Sequence, residues 1–553
     1  MRFRKELAEA RSRFIAILIK TIRAIIRFAS ANDVSINHRF PRNICRDPVR
    51  TYVKGKQGHS PFIPAVKGKT SMLNQNQQEP PWQLFQAIKS QLVPILSLGL
   101  IVLISFGIAV SFDFVNWDDP WYVIHNPLVK SWHPDNLQKI TTQVVTRNYA
   151  PLTIFSFLVD HSLFGQWAGG YHLTNILLHL LNTVLVFLLV TRFTKNRLVG
   201  WATAAVFAIH PVQVETVVWI SSRKGLLSST FILASLWYWL RKERTLEQNT
   251  CGFLFFICAL LSKALAVVVP AIVFCFDFWV AKIPFREAVK RQIFPGCCAV
   301  LLLLITMLAQ TSELGGVRDH FGMSKVEILS VDTVIMSKYV QMLLWPEARS
   351  VLYDPPTSGI TLKILISLFC WLVAAVLFVR MGKRQPLILF AGATFLLLLI
   401  PVLNLFPITT LMNDRYLYLP CIPFFALVFS ACVHVLESMR QQVLVPVLKG
   451  KHCSGYLVPA IFGVLVLALL TRYSLLTERY LFVWKDGLAL WQYTSQQVPQ
   501  LPVVQIQLAN SYHSQGDHAR AIAIIKQALQ NTSPDELDRQ RMEQKIQEWE
   551  RLK

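Results

Sequence analysis

Eleven apolar runs, at about 93–112, 172–191, 198–214, 224–240, 251–262, 264–281, 294–310, 361–380, 386–407, 416–436 and 455–475, constrain this chain more than any other feature. A bilayer's hydrocarbon core is about 30 Å thick and takes about 20 apolar helical residues to cross. Within it every backbone N–H and C=O has to be paired inside the protein, which leaves only helices or a closed barrel. Barrel strands are short and alternate apolar with polar residues, a pattern these runs lack. The expected fold class is therefore all-α, a polytopic membrane protein of about eleven transmembrane helices. Two runs, 251–262 and 264–281, are short or nearly fused, so ten spans also fit on length alone. Composition agrees: 53% of residues are hydrophobic and 16% charged, unlike a soluble domain.

The net charge of +23 is unevenly placed, with 17 Lys and Arg against 5 Asp and Glu in residues 1–90. A membrane surface explains this basic excess better than nucleic acid does. Alternate loops carry three or four positives in short spans: Arg192, Lys195 and Arg197; Arg241, Lys242 and Arg244; Lys282, Arg286, Lys290 and Arg291; Arg380, Lys383 and Arg384; Arg440, Lys449 and Lys451. The first loop between them, 113–171, is acidic instead. It sets Lys130, Lys139 and Arg147 against Asp113, Asp118, Asp119, Asp135 and Asp160. The positive-inside rule then places this loop, the second long loop (311–360) and the C-terminus outside the cytoplasm. A short helix is expected around 134–147, and MSKYVQMLLWP should lie on or dip into the membrane.

Residues 1–30 read as a basic amphipathic helix, Arg4, Arg11, Arg23 and Arg27 opposing Phe14, Leu18, Ile22 and Ile26. It suits a membrane surface or an organelle transit peptide. Residues 31–90 read as a flexible linker, 91–475 as the membrane domain and 476–553 as an extracytoplasmic helical tail. In the tail, Leu508, Ala509, Tyr512, Gly516, Ala521, Ile525 and Ala528 fall at tetratricopeptide positions. A lone repeat is marginal, so helices at 477–496 and 535–552 should pack beside it. The tail would grip a peptide or pack against the membrane domain. None of the ten cysteines shows CxxC or zinc spacing, so neither a disulfide framework nor a metal site is expected from them.

The first outer loop contains FVNWDDPWYVIHNP, in which Asp118 and Asp119 stand among Phe114, Trp117, Trp121 and Tyr122. Ionisable groups at a membrane edge are candidate functional groups; the plainer reading is a solvated loop with aromatic belt anchors. His210 and Glu215 lie five residues apart, and Pro211 would break the helix and let both reach one pocket. Arg223 and Lys224 are positives on the outer side, which suggests an anionic partner such as a lipid phosphate, unless they pair with Glu215 or snorkel to headgroups. Lys263 carries the same two readings. Asp414 and Arg415 either pair with each other or leave Arg415 to fork onto a phosphate. His172, Asn175, His179 and Asn182 share one helix face. That stripe reads first as interhelical hydrogen bonding and second as a metal or substrate site.

Six motifs stand in order: FVNWDDPWYV (114–123), APLTIFSFLVD (150–160), YHLTNILLHLLNT (171–183), AIHPVQVETVVWISSRKGLLS (208–228), LSKALAVVVP with DFW (261–270, 277–279) and MNDRYLYLP (412–420). Together they resemble the bacterial membrane glycosyltransferase-like proteins with tetratricopeptide tails, which are similar to the eukaryotic transmembrane and tetratricopeptide-containing O-mannosyltransferases. The resemblance covers roughly 93–530. It implies a GT-C fold with its active site on the non-cytoplasmic face, an acidic motif in the first outer loop, and a polyprenyl-phosphate-linked sugar as donor. It further implies that one Asp of the pair is the catalytic base; Asp118 is taken as that base, with Asp119 orienting acceptor or base. His210, Glu215, Arg223, Lys224, Lys263 and Arg415 are the substrate-binding candidates. The chain departs from the family at Ala150, where His or Arg often precedes the proline, and at Gly225, where an acid commonly follows the Arg-Lys pair.

The function expected is transfer of a sugar, with mannose one candidate, from a polyprenyl phosphate to a protein hydroxyl or other exported acceptor. The setting is a bacterial inner membrane with a periplasmic active site, or the endoplasmic reticulum lumen in a eukaryote. Expected partners are membrane lipids, the lipid-linked donor and a protein or peptide acceptor, and no nucleic acid. Metal dependence is left open. The alternative is a non-catalytic membrane scaffold whose tail recruits a partner. A transporter fits less well, because the runs show no duplicated halves.

Overall fold

A computed structural model describes residues 81–146, 148–312, 323–346, 350–357, 359–404, 410–439, 454–532, 534 and 536–551. The basic helix expected at 1–30, most of the linker, Arg147 and most of 437–454 lie outside the described residues. The chain divides into two compact units, Met1–Val93 and Pro94–Lys553; nearly everything described belongs to the second.

The described residues are helical and contain no strand. In order they form α1 (Pro81–Phe106), α2 (Pro134–Thr142), α3 (Pro151–Phe164), α4 (Ala168–Thr194), α5 (Arg197–Ile209), α6 (Val214–Val218), α7 (Arg223–Trp239), α8 (Leu246–Ser262), α9 (Val269–Cys275) and α10 (Phe285–Ser312). There follow α11 (Lys325–Leu344), α12 (Thr361–Arg384), α13 (Pro386–Leu399), α14 (Cys421–Met439), α15 (Ser454–Leu481), α16 (Gly487–Gln497), α17 (Pro502–Ser514), α18 (His518–Asn531) and α19 (Glu536–Glu550). The short helix expected near 134–147 is α2, which starts on Pro134, the favoured first helical position. The linker is corrected at its end. Residues 81–90 are helical, because PWQLFQAIKS is built largely of good helix formers behind a leading proline.

All eleven runs carry helix, but six described helices are long and apolar enough to cross a membrane: Gln91–Ser111, Ala168–Thr194, Phe285–Leu308, Thr361–Arg384, Cys421–Met439 and Ala460–Trp484. Others are shorter for identifiable reasons. α5 stops at Ile209 because Pro211 cannot continue it. From there to α7 the backbone runs through two 3-10 turns, Pro211–Gln213 and Ile220–Ser222, with α6 between them. Every residue from His210 to Ser222 is buried. Irregular backbone in a membrane protein is tolerated where protein covers it or it lines a cavity, and here protein covers the whole stretch.

The polar stripe on α4 is interhelical glue. Asn175 Nδ2 donates to Val217 O (3.2 Å) and Trp219 O (3.3 Å). Asn182 Nδ2 donates to Leu226 O (3.2 Å) and the Tyr418 hydroxyl (3.0 Å). His179 spends both ring nitrogens, on Tyr418 Oη (2.9 Å) and Ala208 O (3.0 Å). These contacts hang the broken 210–222 stretch and the 410–420 segment on one long helix. At the opposite end of α4, Arg192 caps α7 through Trp237 O (2.8 Å) and Leu240 O (2.7 Å). The acidic loop and the Arg192 end therefore lie at opposite ends of the bundle.

The tail docks on the acidic loop. Asp113 N–H donates to Lys485 O (3.0 Å), and the Trp117 and Trp491 rings lie 4.9 Å apart. Asn116 is the junction. Its Oδ1 accepts from the buried Trp491 indole N–H (2.9 Å), and its Nδ2 donates to Gln507 O (3.2 Å) and Ser511 Oγ (3.0 Å). α17 and α18 form a hairpin turning at Gly516, whose φ of 85° suits glycine. Buried Ala509, Ala521 and Ala528 let its helices approach, and Met542 and Trp549 of α19 close its core. Asn116→Ala leaves the Trp491 N–H without its acceptor. We expect a loss of about 1–3 kcal/mol, the cost of an unsatisfied buried donor, read as earlier thermal unfolding and faster protease nicking after residue 484.

Candidate functional site

The loop after α1 is folded by its second carboxylate. Asp119 Oδ2 accepts from Val115 N–H (3.0 Å), and Oδ1 accepts from Ser221 N–H (3.0 Å) and Ser221 Oγ–H (2.5 Å). Asp119 is buried, and burial raises its pKa to about 6 against the lowering by these donors. Its oxygens are thus committed to the protein. It fastens the loop that carries Asp118. Asp118, beside it, keeps 28% of its side chain exposed and lies 3.5 Å from Lys224 Nζ. It stands where Pro120–Ile124 form a single π-helical turn, with Trp121 and Tyr122 N–H both donating to its carbonyl (3.0 Å each).

Three cations gather opposite Asp118. Lys224 Nζ donates to the Tyr122 hydroxyl (3.2 Å) and sits 4.7 Å from the Tyr122 ring centroid. Arg415 pairs with buried Glu215 through Oε1, and its backbone N–H donates to Glu215 Oε2 (3.0 Å). The Trp219 ring lies between them, with Arg415 at 5.4 Å and Lys224 at 5.9 Å from its centroid. Lys263 completes the group from the end of α8. Its ammonium has no hydrogen-bonding or ion-pair partner among the described residues. A Cβ placed on Gly225 would stand 3.9 Å from Lys263 Nζ, and Glu215 is the carboxylate whose charge reaches this amine. Burial, then repulsion from Arg415 and Lys224, pushes Lys263 down to about 7.

Two expected site residues go elsewhere. Arg223 is wholly buried, paired with Asp160 at 2.7 Å, with Nε donating to Asn175 Oδ1 (2.5 Å) and Nη2 to Tyr171 O (2.9 Å). It points into the bundle and is unavailable to a phosphate. His210 is buried against Tyr473 (4.4 Å) and Phe425 (5.5 Å). Its Nδ1 accepts from Val212 N–H (3.2 Å) and its Nε2 meets Leu343 O (3.0 Å). Pro211 does break the helix, yet only Glu215 reaches the cationic group. Asp414 and Arg415 do not pair with each other; Asp414 Oδ1 accepts from the Tyr353 hydroxyl (2.6 Å). Reading the sequence named Tyr122 only as an aromatic beside the Asp pair and missed Trp219 and Ser221, which join the loop to the cations. Trp219 and Ser221 both lie within AIHPVQVETVVWISSRKGLLS (208–228), the one signal available for them.

No family model matches the chain. Stretches of it are similar to known proteins. It is 32% identical over 158 residues to the protein O-mannosyl-transferase TMTC1 of Mus musculus, covering 27% of this chain and 16% of that protein. It is 30% identical over 206 residues to the protein O-mannosyl-transferase F38B6.6 of Caenorhabditis elegans, covering 35% of this chain and 28% of that one. Each match thus spans less than a third of those curated relatives. Among solved structures, an Archaeoglobus fulgidus oligosaccharyltransferase tethered to an acceptor peptide superposes with TM-score 0.42 at 14% identity, over 72% of this chain and 55% of that one.

Proposed function

We propose that the chain is an integral membrane glycosyltransferase that moves a sugar from a polyprenyl-phosphate donor to a hydroxyl of an exported polypeptide. The similarity to protein O-mannosyl-transferases supports the reaction class and makes mannose the first sugar to test. The observation that carries the reading is the meeting of Lys224, Lys263 and Arg415 beside the partly open Asp118. Lys263 is half-buried, pressed by the charges of Arg415 and Lys224 and balanced in part by Glu215; a sugar phosphate bound there would supply a further anion.

The chemistry follows from the placement. The acceptor hydroxyl approaches Asp118, which takes its proton as the oxygen attacks the anomeric carbon. The bond from that carbon to the phosphate oxygen breaks and its electron pair leaves with the lipid phosphate. Lys224, Lys263 and Arg415 receive the growing negative charge. Asp119 and Glu215 act through others, the first fixing the loop and the second aiming Arg415. One in-line displacement inverts the anomeric centre without a covalent sugar intermediate.

The loop-charge asymmetry supports an active site and tail outside the cytoplasm, with all eleven runs in the membrane and the shorter ones surrounding the site. The hairpin α17–α18 supports a tetratricopeptide-type unit whose first task is to brace the acidic loop. A scaffold of the same fold would tolerate changes at Asp118 and Lys263. The test is transfer from a radiolabelled polyprenyl phosphomannose to a Ser/Thr peptide in membranes, with wild type active and Lys263→Met severely impaired.

Lys263 also sets a pH dependence. The unfolded lysine stays protonated to about 10.4, whereas the folded one releases its proton near 7. Between these values the unfolded chain binds more protons, so the stability of the donor-free protein should rise with pH from about 7 to 10. Donor binding, which needs the ammonium, should weaken over the same range. Thermal melts and donor titrations at pH 6 to 9 check both signs, and Lys263→Met should flatten both curves.

A further inference from the structure

We propose that the cleft beside Trp121 docks an extended stretch of polypeptide and presents its hydroxyl to Asp118; the proposal rests on the transfer chemistry above. The cleft has a volume of about 420 Å³ and lies between Trp121, Asn126–Leu128 and Gln143–Thr146. Trp121 is 65% exposed although the next two residues are buried. It is three residues beyond Asp118, and its N–H donates to the Asp118 carbonyl (3.0 Å), so both belong to one turn of chain. A chain lying over this indole therefore passes beside the carboxylate.

The far wall carries main-chain groups suited to such a guest. Val145 pairs its N–H with Asn148 O (3.1 Å) and its C=O with Asn148 N–H (2.9 Å). In extended chain, successive residues aim their peptide groups to opposite sides, so those of Val144 turn away from that bridge. Neither the N–H nor the C=O of Val144 has a backbone partner among the described residues. An added strand would satisfy both, which is how sheet edges capture peptides. Thr146 follows with a φ of 47°, uncommon for a β-branched residue and of the kind that collects at functional sites. Its hydroxyl is buried and has no hydrogen-bonding partner among the described residues.

This wall is wired to the reacting groups. The Tyr122 hydroxyl donates to Val145 O (3.4 Å) and accepts from Lys224 Nζ, the amine facing Asp118. The geometry selects an extended guest by its main chain and an apolar side chain over Trp121, with the reactive Ser or Thr one or two positions along. A folded domain would have to offer an edge strand or a loose segment.

The test places a photoreactive benzoylphenylalanine at position 121 of the full chain in membranes, in otherwise wild-type and Asp118→Asn backgrounds, with a biotinylated Thr-rich peptide. Peptide crosslinks in both backgrounds, competed by unlabelled peptide and lost when the peptide's main-chain nitrogens are methylated, are expected. Trp121→Ala should raise the peptide KM about tenfold, the effect of losing an aromatic anchor, with kcat and donor affinity within about twofold. Crosslinks to lipid alone would make Trp121 a belt residue and overturn the proposal, as would normal transfer without peptide crosslinks or with KM unmoved by Trp121→Ala. Competed peptide crosslinks without any transfer by the wild type would uphold the cleft and overturn the transferase reading.

Discussion

Asp118→Asn is expected to lower glycosyl transfer by about 10²- to 10⁴-fold, the contribution of a positioned general base. The substitution keeps the side chain's shape and removes its negative charge and its ability to take a proton. Because Asp118 is partly open and its Lys224 contact is 3.5 Å, its loss should leave insertion, melting temperature and donor binding close to wild type. Asp119→Asn makes the informative contrast. Its amide would turn an N–H₂ donor toward either Val115 N–H or the two Ser221 donors. Activity should fall there too, but with a lower melting temperature, since the loop is unfastened rather than disarmed. Initial rates and thermal melts of both variants in the same membranes separate the two roles.

Arg223→Ala is expected to destabilise the protein by about 3–5 kcal/mol, the cost of stranding one partner of a buried ion pair. It would leave Asp160 enclosed without its cation and remove the donors to Asn175 Oδ1 and Tyr171 O. Arg223→Lys should recover little, because an ammonium cannot reach three partners in the fixed directions of a guanidinium. Lys224→Met, one residue along, should instead fold normally and lose donor affinity. Expression level and melting temperature in detergent give the first result, and donor titration the second. A well-folded, stable Arg223→Ala protein would refute the structural role assigned to it.

That contrast also shows how far the chain could be read unaided. Helix, membrane class, the acidic loop and the tail hairpin were legible because each rests on local signals: run length, periodicity, loop charge and small residues at fixed spacing. Side-chain destinations were not. Arg223 and Lys224 are adjacent and alike in charge, yet one enters the bundle toward Asp160 and the other faces Tyr122, because neighbouring helical residues point about 100° apart. Arg415 skips the adjacent Asp414 for Glu215, two hundred residues earlier. Pro211 announced a broken helix, but whether His210 or Glu215 entered the site depended on what 340–345 and 410–418 packed against it. At Asn175, His179 and Asn182 the α4 polar stripe follows its bland reading, each amide or imidazole bridging to a backbone carbonyl or tyrosine; His172 makes one contact of 3.5 Å to Asp113 O.

The account stands on Lys224 and Lys263 receiving a lipid phosphate beside Asp118. Native mass spectrometry of the purified full chain, titrated with polyprenyl monophosphate, measures this without relying on turnover. One retained lipid phosphate per protein is predicted for wild type and for Asp118→Asn, with affinity falling about 100-fold or more in Lys224→Met/Lys263→Met, as expected for two lost charge-assisted contacts. Equal affinity in the double variant, in protein that still melts like wild type, would contradict it.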